Sequence, residues 1–265
     1  MFSCDCPRCT APPRRTKNEF KNYRPTCFDL WCFERFGDGL CPGSRHLRCV
    51  RVTLVSRSEH KLQEAAKQSE ASTGATAQWI AADLSQVVGR QAVAAACSDI
   101  DILVTNTGGP PSMLFAQLET TYWQAALEQN FLAAVELIQA VLPGMVSRRF
   151  GRIVHITSVS VRSPVTNLEL STAARMALTG FVASVSREVV QHNVAINNLL
   201  PGTIMTDRLR ELGPVAEALI ASVPAGRAGT PAEFGAACAF LCSEAAGFIV
   251  GQSLSIDGGL VRATI

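Results

Sequence analysis

Apolar and polar positions follow one regime before Arg51 and another after it. From Arg51 onward, short β-branched runs alternate with longer segments whose apolar residues recur three and four apart. Before Arg51 no such period is visible. Val52–Val55, Ala77–Ala82, Asp101–Val104, Ile153–Thr157 and Val194–Leu199 predict strands, most of them apolar enough to be buried on both faces of a parallel sheet. Glu59–Ser72, Gln86–Ala96, Leu118–Arg148 and Leu170–Gln191 predict helices, the third apolar at Trp123, Leu127, Phe131, Ala134, Leu137 and Val141. A further helix ends at Cys242, and G-Q-S-L-S-I-D-G-G gives a last strand with a turn at Asp257-Gly258-Gly259. Strand and helix in alternation predict a doubly wound, Rossmann-like α/β domain over 51–265, with ligand at the carboxyl ends of the strands.

Composition narrows the class. With 265 residues, 17% charged and 48% hydrophobic, the chain suits one folded domain with a sizeable core. A net charge of +2 is too small to argue for nucleic acid or an anionic membrane as partner. No continuous apolar run of transmembrane length and no apolar core for a secretory leader are seen, so the expected address is cytoplasmic. Seven of the ten cysteines fall in the first fifty residues, yet they offer one C-x-x-C pair with only His46 nearby. That is poor spacing for a zinc module, and no metal is expected.

Candidate chemistry gathers in one block. Ile153–Thr157 ends at the hydroxyl of Ser158; after a loop holding Pro164 and Asn167, Ser171 and Arg175 lie four residues apart on one helix face. A strand, a serine, thirteen residues, a second position, four more to a cation and then A-L-T-G-F resemble the active-site block of the short-chain dehydrogenase/reductase family. That family carries tyrosine and lysine where this chain has Ser171 and Arg175. The resemblance covers about residues 51 to 265 and is nearest to the 3-oxoacyl-(acyl carrier protein) reductase branch. It implies a homodimer or homotetramer acting on a small-molecule or acyl-thioester substrate.

The remaining motifs extend it. Arg57, with Ser58, directly follows the first regular strand; a guanidinium there favours NADP over NAD, its bland alternative being a solvated arginine. Asp83, followed by Leu84, accepts from the adenine amino group in the family, or caps the helix Gln86–Ala96. Asn106 and Gly108 match the family's N-N-A-G turn, in which the asparagine ties neighbouring strands and small residues admit the cofactor; Thr105 and Thr107 depart from it. Asn130, mid-helix, implies the family's water-positioning asparagine, or a buried amide bonded to nearby backbone. Pro201, Gly202, Ile204 and Thr206 belong to a P-G-x-x-x-T loop like the one that meets the nicotinamide carboxamide. Asp207–Val223 reads as an apolar substrate lid.

The family's first strand and its T-G-x-x-x-G-x-G turn belong before Arg51, and neither is visible. Shifted by one base with synonymous codons chosen freely, Cys27–Phe36 can encode A-L-I-C-G-A-S-N-G-L and Gly37–Arg48 can continue G-M-G-C-A-Q-A-L-A-I-F-G. Residues 1–50 are therefore expected to stand apart from the native fold as an out-of-frame translation, at least from Phe20 on. The sheet is accordingly expected to lack its normal first strand and glycine-rich turn.

Ser171 bears on function. Its hydroxyl is a weaker acid than a phenol and shorter by a ring. Two readings stay open: Ser158, Ser171 and Arg175 polarise a carbonyl while a water reached through Asn130 gives the proton, or the protein binds dinucleotide without turnover.

Overall fold

The computed structural model describes residues 51–97 and 99–262 in full and the backbone of 26–30. Among them are β1 (Thr26–Leu30), β2 (Arg51–Ser56), α1 (Glu59–Thr73), β3 (Thr76–Ala81), α2 (Val87–Ala96), β4 (Ile102–Thr105), α3 (Thr120–Leu127), α4 (Ala133–Arg148), β5 (Gly151–Ile156), α5 (Glu169–Val189), β6 (Val194–Pro201), α6 (Asp207–Arg210), α7 (Pro214–Ala221), α8 (Pro231–Cys242) and β7 (Ser253–Ile256). The strands form one parallel sheet in the order β3-β2-β1-β4-β5-β6-β7. The order reverses between β1 and β4, and that switch point opens a crevice at the strands' carboxyl ends.

Both faces are covered, as the apolar strands require. Val52, Leu54, Ile102, Val104, Val154 and Ile156 face Leu62 of α1 and Phe234 and Leu241 of α8. The alternate positions Val55, Leu103, Ile153 and Ile196 pack on Val93, Leu137, Val141, Leu178 and Val182. Period-two alternation thus feeds two apolar layers from one set of strands. α8 begins with a capping box, Thr230 Oγ1 accepting from the Glu233 N–H at 3.2 Å while Glu233 Oε2 accepts from the Thr230 N–H at 2.8 Å. Arg227 Nη2 donates to Glu233 Oε1 at 2.6 Å, and this guanidinium first, then Thr230, holds the Glu233 carboxyl down to about 2.

Three expectations need correction. The slot of the first strand is filled at backbone level: Cys27 pairs with Val52 on one side and Ile102 on the other. A gap between β2 and β4 would leave two rows of buried N–H and C=O groups unmatched, and backbone pairing asks little of sequence. The glycine-rich turn that would follow, like His46 and the side chains of the clustered cysteines, lies outside the described residues. The long helix is also interrupted: Glu128–Leu132 makes a π turn, with the Ala133 N–H donating five residues back to the Glu128 carbonyl. Finally, Thr120–Arg148 is long and apolar enough to cross a membrane by length and composition alone, which the polar residues along it disguise in the sequence. Its Leu137, Ile138, Val141 and Met145 are buried against the sheet.

Candidate active site

A cavity of about 300 Å³ opens at the carboxyl ends of β4, β5 and β6. Asn106, Ser158, Ser171, Arg175, Pro201, Gly202, Ile204 and Thr206 all line it, so one cleft gathers eight of the residues singled out in the sequence. Thr157, Leu168 and Arg208 line it too and were missed. Thr157 was hidden as the last of a β-branched run, and Arg208 inside a segment whose apolar character dominated.

α5 brings Ser171 and Arg175 to the cavity because Leu178 and Val182 lie on the sheet while Leu170 and Ala174 pack against Ala126 of α3. Arg175 is buried and its guanidinium grips strand ends. Nη1 donates to the carbonyls of Ile156 at 2.8 Å and Thr157 at 3.1 Å, and Nη2 to that of Thr107 at 3.4 Å. Nε donates to Ser171 Oγ at 3.2 Å. The family's lysine, a point charge, is implied to meet the nicotinamide ribose; the planar five-donor fork here bonds backbone oxygens of two adjacent strand ends at once. Ser158 lies two residues past β5 and is half-buried, with Oγ accepting from the Ser160 N–H at 3.1 Å.

Asn130 is buried in the π turn and does not line the cavity. Its Nδ2 donates to the Ala126 carbonyl at 3.3 Å, and its Oδ1 accepts from Thr107 Oγ1 at 3.0 Å. These are the bonds of a satisfied buried amide. Through Thr107 they also continue to Arg175 and Ser171, so the π turn, the β4 loop and α5 share one hydrogen-bonded chain. His155, unremarked in the sequence, lies wholly buried with Nδ1 2.5 Å from Thr105 Oγ1. Burial pushes its imidazole down to about 3, so it is neutral.

Other expected contacts differ. Asn106 does not tie strands through Nδ2, which is buried and has no partner among the described residues. A Cβ on Gly108 would come within 2.9 Å of Gln129 Nε2, so the space this glycine leaves admits a helix side chain. On Gly202 a Cβ would lie 2.7 Å from that of Asp257, which explains the glycine where the P-G loop crosses the last turn. Asp83 is not the N-cap of α2, which begins at Val87 after Gln86; its Oδ1 instead accepts from the Ser85 N–H at 2.9 Å and Ser85 Oγ at 2.8 Å. The Leu84 carbonyl accepts from Arg90 Nη1 at 3.1 Å, while Arg90 Nε and Nη2 pair with Glu136 and Glu128. Arg57 and Ser58 are exposed just past β2, away from the cavity lining.

Two buried polar atoms in the cavity wall, Asn106 Nδ2 and Thr157 Oγ1, have no protein partner among the described residues. Buried polar groups are normally bonded, so an acceptor and donor from a ligand fit here. A nicotinamide carboxamide offers both, and the residues present suit that end of a dinucleotide.

A family profile described as enoyl-(acyl carrier protein) reductase matches residues 48–261. The 3-oxoacyl-(acyl carrier protein) reductase FabG of Vibrio cholerae is 36% identical over 162 residues, 61% of this chain and 66% of that one. The chain thus spans about two thirds of the length of that curated relative. Among solved structures, YwfH, an NADPH-dependent reductase involved in bacilysin biosynthesis, has a TM-score of 0.84 at 25% identity, covering 91% of this chain and 100% of that one. A 3-oxoacyl (acyl-carrier-protein) reductase from Agrobacterium tumefaciens C58 with NADP bound has a TM-score of 0.80 at 28% identity, covering 89% and 94%.

Proposed function

The chain belongs to the short-chain dehydrogenase/reductase family, and from that premise we propose that it reduces the carbonyl of a 3-oxoacyl thioester-like substrate to an alcohol with NADPH. The observation that carries the reading is the single cavity shared by Ser158, Ser171, Arg175 and the P-G loop, with two unpartnered polar atoms in its wall. When bound, the nicotinamide supplies the hydride. Asn106 and Thr157 would hold its carboxamide beside the Pro201–Thr206 loop. Arg57, exposed after β2 and unpaired with any carboxylate among the described residues, offers its fork to a 2′-phosphate.

The chain's own groups then handle the oxygen. Negative charge developing on the carbonyl oxygen is met by the hydroxyls of Ser158 and Ser171 and by the Arg175 charge behind them. Because Arg175 Nε already donates to Ser171 Oγ, the Ser171 hydroxyl keeps its own proton to donate elsewhere, and Ser171 lines the cavity. The guanidinium also stabilises the serine oxygen as its proton leaves, and water restores that proton. Asn130 acts at one remove, holding Thr107 and through it Arg175.

One observation favours a second reading, dinucleotide binding without turnover: Arg175 reaches inward to three carbonyls where the family uses a lysine on the ribose. NADPH oxidation with an acetoacetyl thioester by the frame-corrected chain separates the two. Under the proposed function turnover is measurable, and Ser158→Ala lowers kcat by roughly 100-fold or more, as loss of an oxyanion donor does. No turnover in the parent, together with turnover gained by Ser171→Tyr, would leave binding alone. We read residues 1–50 as an out-of-frame stretch in place of the pyrophosphate-binding turn, and the assembly as a homo-oligomer.

A further inference from the structure

Among the described residues the lining of the cavity carries two guanidinium groups, Arg175 and Arg208, and no carboxylate. Arg175 is engaged with the strand ends; Arg208 is not. It is exposed on α6, in the lid, and no carboxylate pairs with it among the described residues, whereas its neighbour Arg210 is neutralised by Asp207 at 2.6 Å. The short helix is held in one orientation: Thr206 Oγ1 accepts from the Leu209 N–H at 3.4 Å, and Leu209 is buried with Ala216 and Ala228. With Leu209 pinned, Arg208 stays at the cavity wall. Around it the wall is apolar, from Leu168, Leu212 and Leu219.

A cation and two hydroxyls lining one cleft with apolar wall fit a ligand with a hydrocarbon body, a carbonyl and an anionic group. We propose that Arg208 selects for carbonyl substrates bearing an anion, either the carboxylate of a free oxo acid or the phosphate of a phosphopantetheine thioester. This rests on the reading of the cavity as the substrate pocket. An exposed arginine spends little desolvation when it pairs with an incoming anion, and the planar fork suits both carboxylate and phosphate.

The test is a binding titration of the full chain in the presence of NADP with two matched pairs. One is 3-oxooctanoate against its methyl ester; the other is S-(3-oxooctanoyl)-4′-phosphopantetheine against the unphosphorylated pantetheine thioester. The pair that discriminates identifies the source of the anion. Arg208→Gln is expected to collapse that affinity ratio by roughly 10- to 100-fold, the scale of a charged hydrogen bond, and Arg208→Lys to restore part of it. A ratio near one in the parent for both pairs, or an unchanged ratio in Arg208→Gln, overturns the proposal. So does a loss confined to NADP affinity, which would assign the arginine to the cofactor. Because binding is read rather than turnover, a protein that discriminates but does not reduce would sink the proposed reaction and leave this assignment standing.

Discussion

Two threonines stand where the family's N-N-A-G turn has asparagine and alanine, and each has a partner that accounts for it. Thr107 Oγ1 donates to Asn130 Oδ1, and Thr105 Oγ1 meets His155 Nδ1. Both departures therefore add a hydroxyl where a neighbouring element offers a buried polar group. The second makes a pH prediction. Burial pushes His155 down to about 3 from an ordinary 6.5. Between those values the unfolded chain binds a proton that the folded chain does not, so stability present above pH 6.5 is lost as pH falls. From pH 6.5 to 5 this group is expected to cost about 2 kcal/mol. Urea unfolding at both pH values, for the parent and for His155→Asn, which keeps an acceptor toward Thr105, measures it. Equal pH dependence in the two proteins would show that the imidazole is not the cause.

At the scale of elements, strands and helices from Arg51 onward were legible because each carries a face to bury: α5 repeats apolar residues at helical spacing, and β5 is buried throughout with Ile153, Val154 and Ile156 at its centre. The π turn was not legible, since it conserves the same apolar stripe while slipping one residue at Asn130. Nor was Arg208, because one of two neighbouring cations in a largely apolar lid gains meaning only when it lines the same cavity as Ser158 and Ser171. The spacing of those two serines, by contrast, survives any detail of packing, because a strand end and a helix face fix it. The last element bears on assembly. Among the described residues β7 pairs on one side only, with β6, and leaves Leu254 40% exposed; Phe248, in the loop before it, is fully exposed. An open sheet edge with apolar side chains exposed is a surface that proteins cover. Covering it with a second copy predicts a homo-oligomer in sedimentation, shifted toward monomer by Phe248→Asp. A parent that sediments as a monomer at micromolar concentration would refute this.

For the whole molecule, the central question is what lies between β1 and β2. The sheet order demands a strand at the switch point, and the backbone of Thr26–Leu30 supplies one beside Val52 and Ile102. Cys27–Leu30 is also where the shifted reading ends its strand, A-L-I-C, before the glycines begin. The two inferences thus place the same element at the same position, one from backbone pairing and one from codons. They part over chemistry. A pyrophosphate needs backbone N–H groups that only a glycine-rich turn presents without side chains in the way. The sequence as it stands, C-F-D-L-W-C-F-E-R-F, puts bulky residues there. The frame-corrected chain is therefore expected to bind NADPH and the present one to bind it poorly. At 100 times the dissociation constant, ligand adds about 2.7 kcal/mol, which for a domain of this size raises Tm by roughly 5 °C or more. A thermal-shift titration of both chains with NADPH reads the difference, with NADH as the control for the Arg57 assignment. Equal stabilisation of both chains would mean that the first fifty residues, as encoded, make a competent dinucleotide site.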